Sequence, residues 1–106
     1  MLEVTAYVGS RITIASEVID HVERKHPQML SVARLNGEKL VSSVIRTLEN
    51  PNEVYVDAHN ARYFLRKMEE LYLNVIVRGD IVKTAYLMGE RTHRRMEKTR
   101  WLRRLY

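Results

Sequence analysis

The stretch EVYVDAHNARYFLRKMEELYLNVIVRGDIVKTAYLM, Glu53–Met88, decides the fold. It divides into four runs rich in Val, Ile, Tyr and Leu, at about Glu53–His59, Arg62–Met68, Leu71–Arg78 and Asp80–Met88. Each run is bounded by a turn signal, the pattern of consecutive strands in a meander. His59-Asn60 separates the first pair, Glu69-Glu70 the second and Gly79-Asp80 the third. The last is the tightest hairpin signal, because glycine enters positive φ without a Cβ clash. Side chains alternate between the faces of a strand. Leu71, Leu73, Val75 and Val77 therefore share the face that packs on helices, and Tyr72 and Asn74 share the other. Val54 and Val56 point inward by the same rule, with Tyr55 and Asp57 outward, and Thr84 and Tyr86 join the outward set. In the second run Arg62, Phe64 and Arg66 oppose Tyr63, Leu65 and Lys67, and alternation alone does not choose between the sets.

Upstream of the sheet the pattern is helical. Ser16 reads as an N-cap, with Glu17 and Asp20 favoured by the positive end of the helix dipole. This helix reaches about His26, since Pro27 disfavours helical geometry in the residue before it. Ile19, Val22 and His26 share a face, whereas His21 and Lys25 lie on a more exposed flank. Gln28–Leu35 reads as a short helix ended by Asn36-Gly37. Glu38–Glu49 carries Leu40, Val41, Val44, Ile45 and Leu48 at helical spacing and stops at Asn50-Pro51-Asn52. Leu2–Val8 and Ile12–Ala15 read as a hairpin or an edge strand. The expected architecture is α+β: N-terminal helices on one face of a four-stranded antiparallel sheet, plus a basic C-terminal helix. It forms one domain over residues 1–106, with its core at about 16–88 and the helix at about 90–106.

Composition narrows the chemistry. The 106 residues include no Cys, which excludes disulfides, thiol catalysis and zinc–thiolate sites. No apolar run reaches the ~20 residues that span a bilayer, and no basic-then-apolar leader opens the chain, so a cytoplasmic protein without a membrane partner is expected. His21 and His26 are five residues apart, about 500° around a helix, so they diverge and suit no shared metal. No HExxH motif, phosphate-binding glycine loop or GxSxG elbow is present, and no cofactor is expected. Residues 90–106 hold seven Lys/Arg against two Glu, and the rest of the chain is balanced. The whole net charge of +5 thus sits in the tail. Such a block favours a polyanion, most often nucleic acid, and equally suits a solvated helix or a partner-binding tail. Trp101, Leu102, Leu105 and Tyr106 would form one stripe of a tail helix, an interface for an acidic partner or a second copy.

What remains suits RNA cleavage without metal. The 2′-hydroxyl must lose a proton as it attacks the adjacent phosphorus, and the leaving 5′-oxygen must gain one. Imidazole can perform either transfer near neutral pH, for roughly 10²–10⁴-fold. Arginine can hold the phosphate bidentately, and Tyr and Thr hydroxyls can orient it.

Three segments carry a family resemblance: HVERKHP at His21–Pro27, VIRTLENPNEV at Val44–Val54, and NVIV followed by IVKTAY at Asn74–Val77 and Ile81–Tyr86. They resemble the phage and toxin nucleases of the barnase, endoribonuclease-U, colicin and RelE-like (BECR) superfamily, over roughly residues 16–88. The resemblance implies helices ahead of a four-stranded antiparallel sheet whose open face cleaves RNA. It implies His21, Lys25, His26, Thr84 and Tyr86 as the catalytic group, with Arg62 or Arg66 on the phosphate. Tyr72, Arg94 and Arg95 complete the expected RNA contacts, and an acidic antitoxin or a homo-oligomer is a possible partner. Some members of the superfamily bind RNA without cleaving it. A non-catalytic RNA-binding module and a protein-interaction domain working through the tail therefore stand as the alternatives.

Overall fold

A computed structural model describes residues 2–35 and 39–106. The elements in chain order are β1 (Leu2–Thr5), a 3-10 turn at Tyr7–Gly9, β2 (Arg11–Ile14), α1 (Ser16–Lys25), α2 (Gln28–Leu35) and α3 (Leu40–Glu49). Then follow β3 (Glu53–Val56), β4 (Ala61–Met68), β5 (Leu71–Arg78), β6 (Ile81–Met88), α4 (Glu90–Glu97) and β7 (Arg103–Arg104). The class is α+β, but the sheet corrects the expected four-stranded antiparallel one. It has seven strands in the order β1-β2-β6-β5-β4-β3-β7, and it is mixed. The β3–β4–β5–β6 meander is antiparallel throughout. The hairpin β1–β2 is added at one side, where Thr13 of β2 joins Ile81 of β6 in parallel. At the other side β7 pairs antiparallel with β3.

Turn chemistry sets the strand lengths. The first run of the meander ends at Val56 rather than at His59, because Asp57 closes a turn. Its Oδ1 accepts the backbone N–H of His59 at 2.8 Å and of Ala61 at 3.0 Å, and Asn60 takes φ 64°. Such side-chain caps are what Asp and Asn bring to turns. Gly79 takes φ 63° between β5 and β6, the conformation for which glycine has no Cβ penalty.

The three helices α1–α3 cover one face of the sheet. Val22 of α1, Met29 of α2 and Val44 and Leu48 of α3 meet Phe64, Leu73, Val75, Val77, Val82 and Ala85 in the main core. Complete burial of such side chains stabilises by roughly 1.5–3 kcal/mol each. Thr47 also faces this core, and its hydroxyl donates to the Ser43 carbonyl at 2.8 Å, so its burial leaves no unmet donor. Ala15, not Ser16, is the cap residue of α1, and it contributes no side-chain hydrogen bond. The Asn36-Gly37 break and the expected start at Glu38 lie outside the described residues, and within them α3 begins at Leu40.

The second face was expected to be open. Instead α4 lies across it. Met96 packs with Tyr55, Leu65 and Met88, and Tyr63, Tyr72, Tyr86 and Leu102 border this smaller core. The tail is also not one helix. The helix ends at Glu97, turns follow, and Arg103 and Arg104 form β7 against Val56 and Tyr55. The Leu105 and Tyr106 N–H groups donate to the Val54 carbonyl at 2.7 and 3.2 Å, and the Tyr106 carbonyl accepts from Val54 N–H at 3.1 Å. These bonds satisfy the edge of β3, which a helical tail would leave unpaired. Trp101, Leu102, Leu105 and Tyr106 therefore form no helical stripe. Tyr106 instead meets Tyr7 with ring centroids 4.4 Å apart.

Candidate functional site

Register on the second face places the relevant side chains. Tyr55, Tyr63, Ile76 and Thr84 form one cross-strand row, and Glu53, Leu65, Asn74 and Tyr86 the next. The third row is Lys67, Tyr72 and Met88. The helix α4 covers the Glu53–Tyr72 side of this array and leaves Thr84 and Tyr86 half-buried at its border.

His26 reaches that border. It caps the C-terminus of α1 at φ −132° and ψ 62°, with its N–H donating to the Val22 carbonyl at 2.8 Å and its own carbonyl accepting from Met29 at 3.0 Å. Pro27 follows in the turn to α2, so the backbone that carries the ring is held by hydrogen bonds on both sides. β2 pairs with β6 at Ile81, and the later part of β6 is hydrogen-bonded to β5 alone among the described strands. The α1–α2 turn sits beside this edge, and the rings of His26 and Tyr86 lie 6.1 Å apart at 39°. One phosphate group can touch both. Asn74, fully buried, donates from Nδ2 to the Tyr86 hydroxyl oxygen at 3.1 Å.

Beyond Tyr86 opens a cavity of about 190 Å³, walled by Tyr63, Tyr86, Met96, Arg95, Trp101 and Leu102. Trp101 is 60% exposed at its mouth. Burial, the hydrogen bond it donates to Asp57 Oδ2 at 2.8 Å and the nearby Asp57 charge push the Tyr63 phenol up to about 12. Arg91, Arg94, Arg95 and Lys98 make an exposed cationic stripe along α4, since residues three and four apart share a helix face.

The other expected site residues fall as follows. His21 and Lys25 are exposed on α1, and Thr84 shares the face of Tyr86 two residues along β6. Arg62 and Arg66 lie on the face of Phe64 and Met68, opposite to Tyr86. Arg62 is engaged there, donating to Ser10 Oγ at 3.1 Å and to the Gly79 carbonyl at 2.9 Å. Tyr72 has one ring face occupied by His93, stacked at 3.9 Å and 10°.

That stack belongs to a polar cluster the sequence reading did not find. His93 is 6% exposed. Its Nε2 lies 2.8 and 3.0 Å from the two carboxylate oxygens of Glu53, and its Nδ1 lies 3.3 Å from Glu97 Oε1. The Tyr55 hydroxyl donates to Glu53 at 2.5 Å, and an Arg104 guanidinium nitrogen lies 4.0 Å away. Burial alone would push the Glu53 carboxyl up. The hydrogen bonds from Tyr55 and His93 and the positive charges of His93 and Arg104 outweigh it and hold the group below the usual carboxylate range. Burial and the bond to Glu53 push the Tyr55 phenol up in turn. The signal in the sequence was His93 and Met96 three apart on the apolar side of an otherwise charged segment.

Comparison with family models, with curated proteins and with solved structures gives no match. Among the described residues no group of three or more His, Asp or Glu is placed to hold a metal ion, and no helix is long and apolar enough to cross a membrane.

Proposed function

We propose that this protein cleaves RNA by 2′-hydroxyl attack at the sheet edge where the α1–α2 turn meets β6. The observation that carries this reading is the His26–Tyr86 pair, 6.1 Å between ring centroids, beside a cavity with Arg95 in its wall. An imidazole there can take the 2′-proton or protonate the leaving 5′-oxygen. The Tyr86 hydroxyl, held from behind by Asn74, donates to a phosphate oxygen on which charge builds as the phosphorane forms. The cationic stripe of α4 holds the flanking chain, a contact that weakens with salt. The test is incubation with RNA in EDTA, reading for 2′,3′-cyclic phosphate ends. His26→Ala is expected to lower the rate by roughly 10²–10⁴-fold. Absence of such ends with the unaltered protein rejects cleavage.

A second reading is supported by one observation. Only one of the two expected imidazoles faces Tyr86, since His21 is exposed on α1. A full acid–base cycle calls for two proton carriers. In this reading the same edge binds RNA without turnover, and salt-dependent binding with no new ends selects it.

A further inference from the structure

We propose that the cavity beside Tyr86 holds one unstacked base of RNA, the base flanking the phosphate seated between His26 and Tyr86. The proposal rests on the reading of that edge as an RNA site.

Four observations converge on it. Tyr86 belongs both to the cavity wall and to the pair with His26. A phosphate seated at the pair therefore brings its own nucleotide to the cavity mouth. The cavity is small: about 190 Å³ falls short of the 300–1,000 Å³ of sites that enclose whole drug-sized ligands. A flat base fits such a space with its sugar and phosphate left outside. The walls are of the kind that take bases. Tyr63, Tyr86 and Trp101 offer aromatic rings, Arg95 offers a planar guanidinium, and Met96 closes the side toward α4. Every base has a π-face, so such surfaces stack any of them. Charge agrees, since among the described residues the lining itself holds no carboxylate, Asp57 behind it accepts from the Tyr63 hydroxyl, and the stripe of Arg91, Arg94 and Lys98 continues outward from Arg95. An acidic protein would meet the stripe with scattered carboxylates, whereas each nucleotide carries a phosphate and a flat base in one unit, matching a cationic stripe that runs out from an aromatic cavity, and this favours single-stranded RNA as the occupant.

Trp101 is the chain's single tryptophan, so its fluorescence reports on the cavity directly. The probe is a four-nucleotide 2′-deoxy oligonucleotide, which cannot be cleaved by 2′-hydroxyl attack, with four copies each abasic at one position. The intact oligonucleotide is expected to quench Trp101, and one abasic position to weaken binding about tenfold, with the others near neutral. Trp101→Ala, followed by anisotropy of a labelled oligonucleotide, is expected to erase that difference while binding stays salt-dependent. Its far-UV spectrum confirms the fold, which an exposed residue does not control. Equal affinity for every abasic copy overturns the proposal, as does binding without quenching, or displacement by an acidic peptide with no response to oligonucleotide. If natural RNA is not cleaved but base-dependent quenching persists, the cleavage reading fails alone. If RNA is cleaved and no abasic position matters, the cavity proposal fails alone.

Discussion

Replacing His93 by Ala tests what holds α4 to the sheet. The imidazole bridges Glu53 of β3 and Glu97 of α4 and stacks on Tyr72 of β5, so three elements meet on one ring. Removing one partner of a buried hydrogen-bonded ion pair costs about 3–5 kcal/mol, because the other charge stays desolvated. Here the lower end applies, since Glu53 keeps the Tyr55 hydroxyl and has Arg104 at 4.0 Å. The lost ring stack adds about 0.5–1.5 kcal/mol, and water entering beneath a loosened α4 returns some of the total. A net loss of about 3 kcal/mol is expected, which for a chain of this size lowers Tm on the order of 15 °C. The assay is far-UV melting, with hydrogen exchange to show protection falling first in α4. Arg94→Ala is the control, because the Arg94–Glu90 pair at 2.8 Å is exposed on both sides, and such pairs contribute under about 1 kcal/mol. A Tm drop for His93→Ala no larger than that of the control would refute the reasoning.

The folded-state pKa of Glu53 lies below its unfolded value, so the stability it contributes is present above the ordinary carboxylate range and lost as pH falls through the depressed value. Glu53→Gln is therefore expected to flatten the acid limb of a stability–pH curve, read by denaturant melts from neutral pH downward. Leu48→Ala, at a fully buried position of α3, should cost about 2–5 kcal/mol in the same melts. Gly79→Ala places a Cβ at φ 63° with open space around it, so backbone strain alone acts and a loss of roughly 1 kcal/mol is expected by chemical denaturation. Arg62→Ala removes the bonds to Ser10 and Gly79 from the face opposite Tyr86, so it should lower Tm and leave RNA affinity unchanged.

The meander was legible because β4, β5 and β6 are each eight residues rich in strand-forming side chains between turn signals, and in β5 the alternation is clear enough for the faces to separate. The helical face of Leu73, Val75 and Val77 followed directly. The choice at β4 was not legible, because each set holds an aromatic and a cation, and packing decides it. Phe64 enters the main core, and Arg62 stays with it by extending its guanidinium over that ring, 5.6 Å from the centroid, to reach Ser10 and Gly79. The tail misled for a related reason. Local spacing favoured one helix, but the open edge of β3 offered hydrogen bonds that only an extended chain could fill, and two arginines became a strand. In the site, His26 and Tyr86 were readable because each ends or lines a regular element. Arg95 was readable as a cation of the tail. The Glu53–His93 contact joins residues forty apart, and no local pattern encodes such a pairing.

The covering of the second face changes what the tyrosines can do. An uncovered sheet would offer Tyr55, Tyr72 and Tyr86 together as a stacking platform. With α4 in place, Tyr55 is 3% exposed and half-buried Tyr72 has one ring face taken by His93, so the platform is much reduced. The Tyr86 end stays accessible, and α4 supplies there what the sheet lacks: Arg95 and Met96 for the cavity, and the turn that carries Trp101. The same helix that closes most of the face thus builds one wall of the opening that is left. Loosening α4 by His93→Ala should therefore weaken base-dependent quenching of Trp101 rather than expose a larger platform. Stronger binding by that variant would mean that α4 blocks the RNA surface, and the cavity would lose its role.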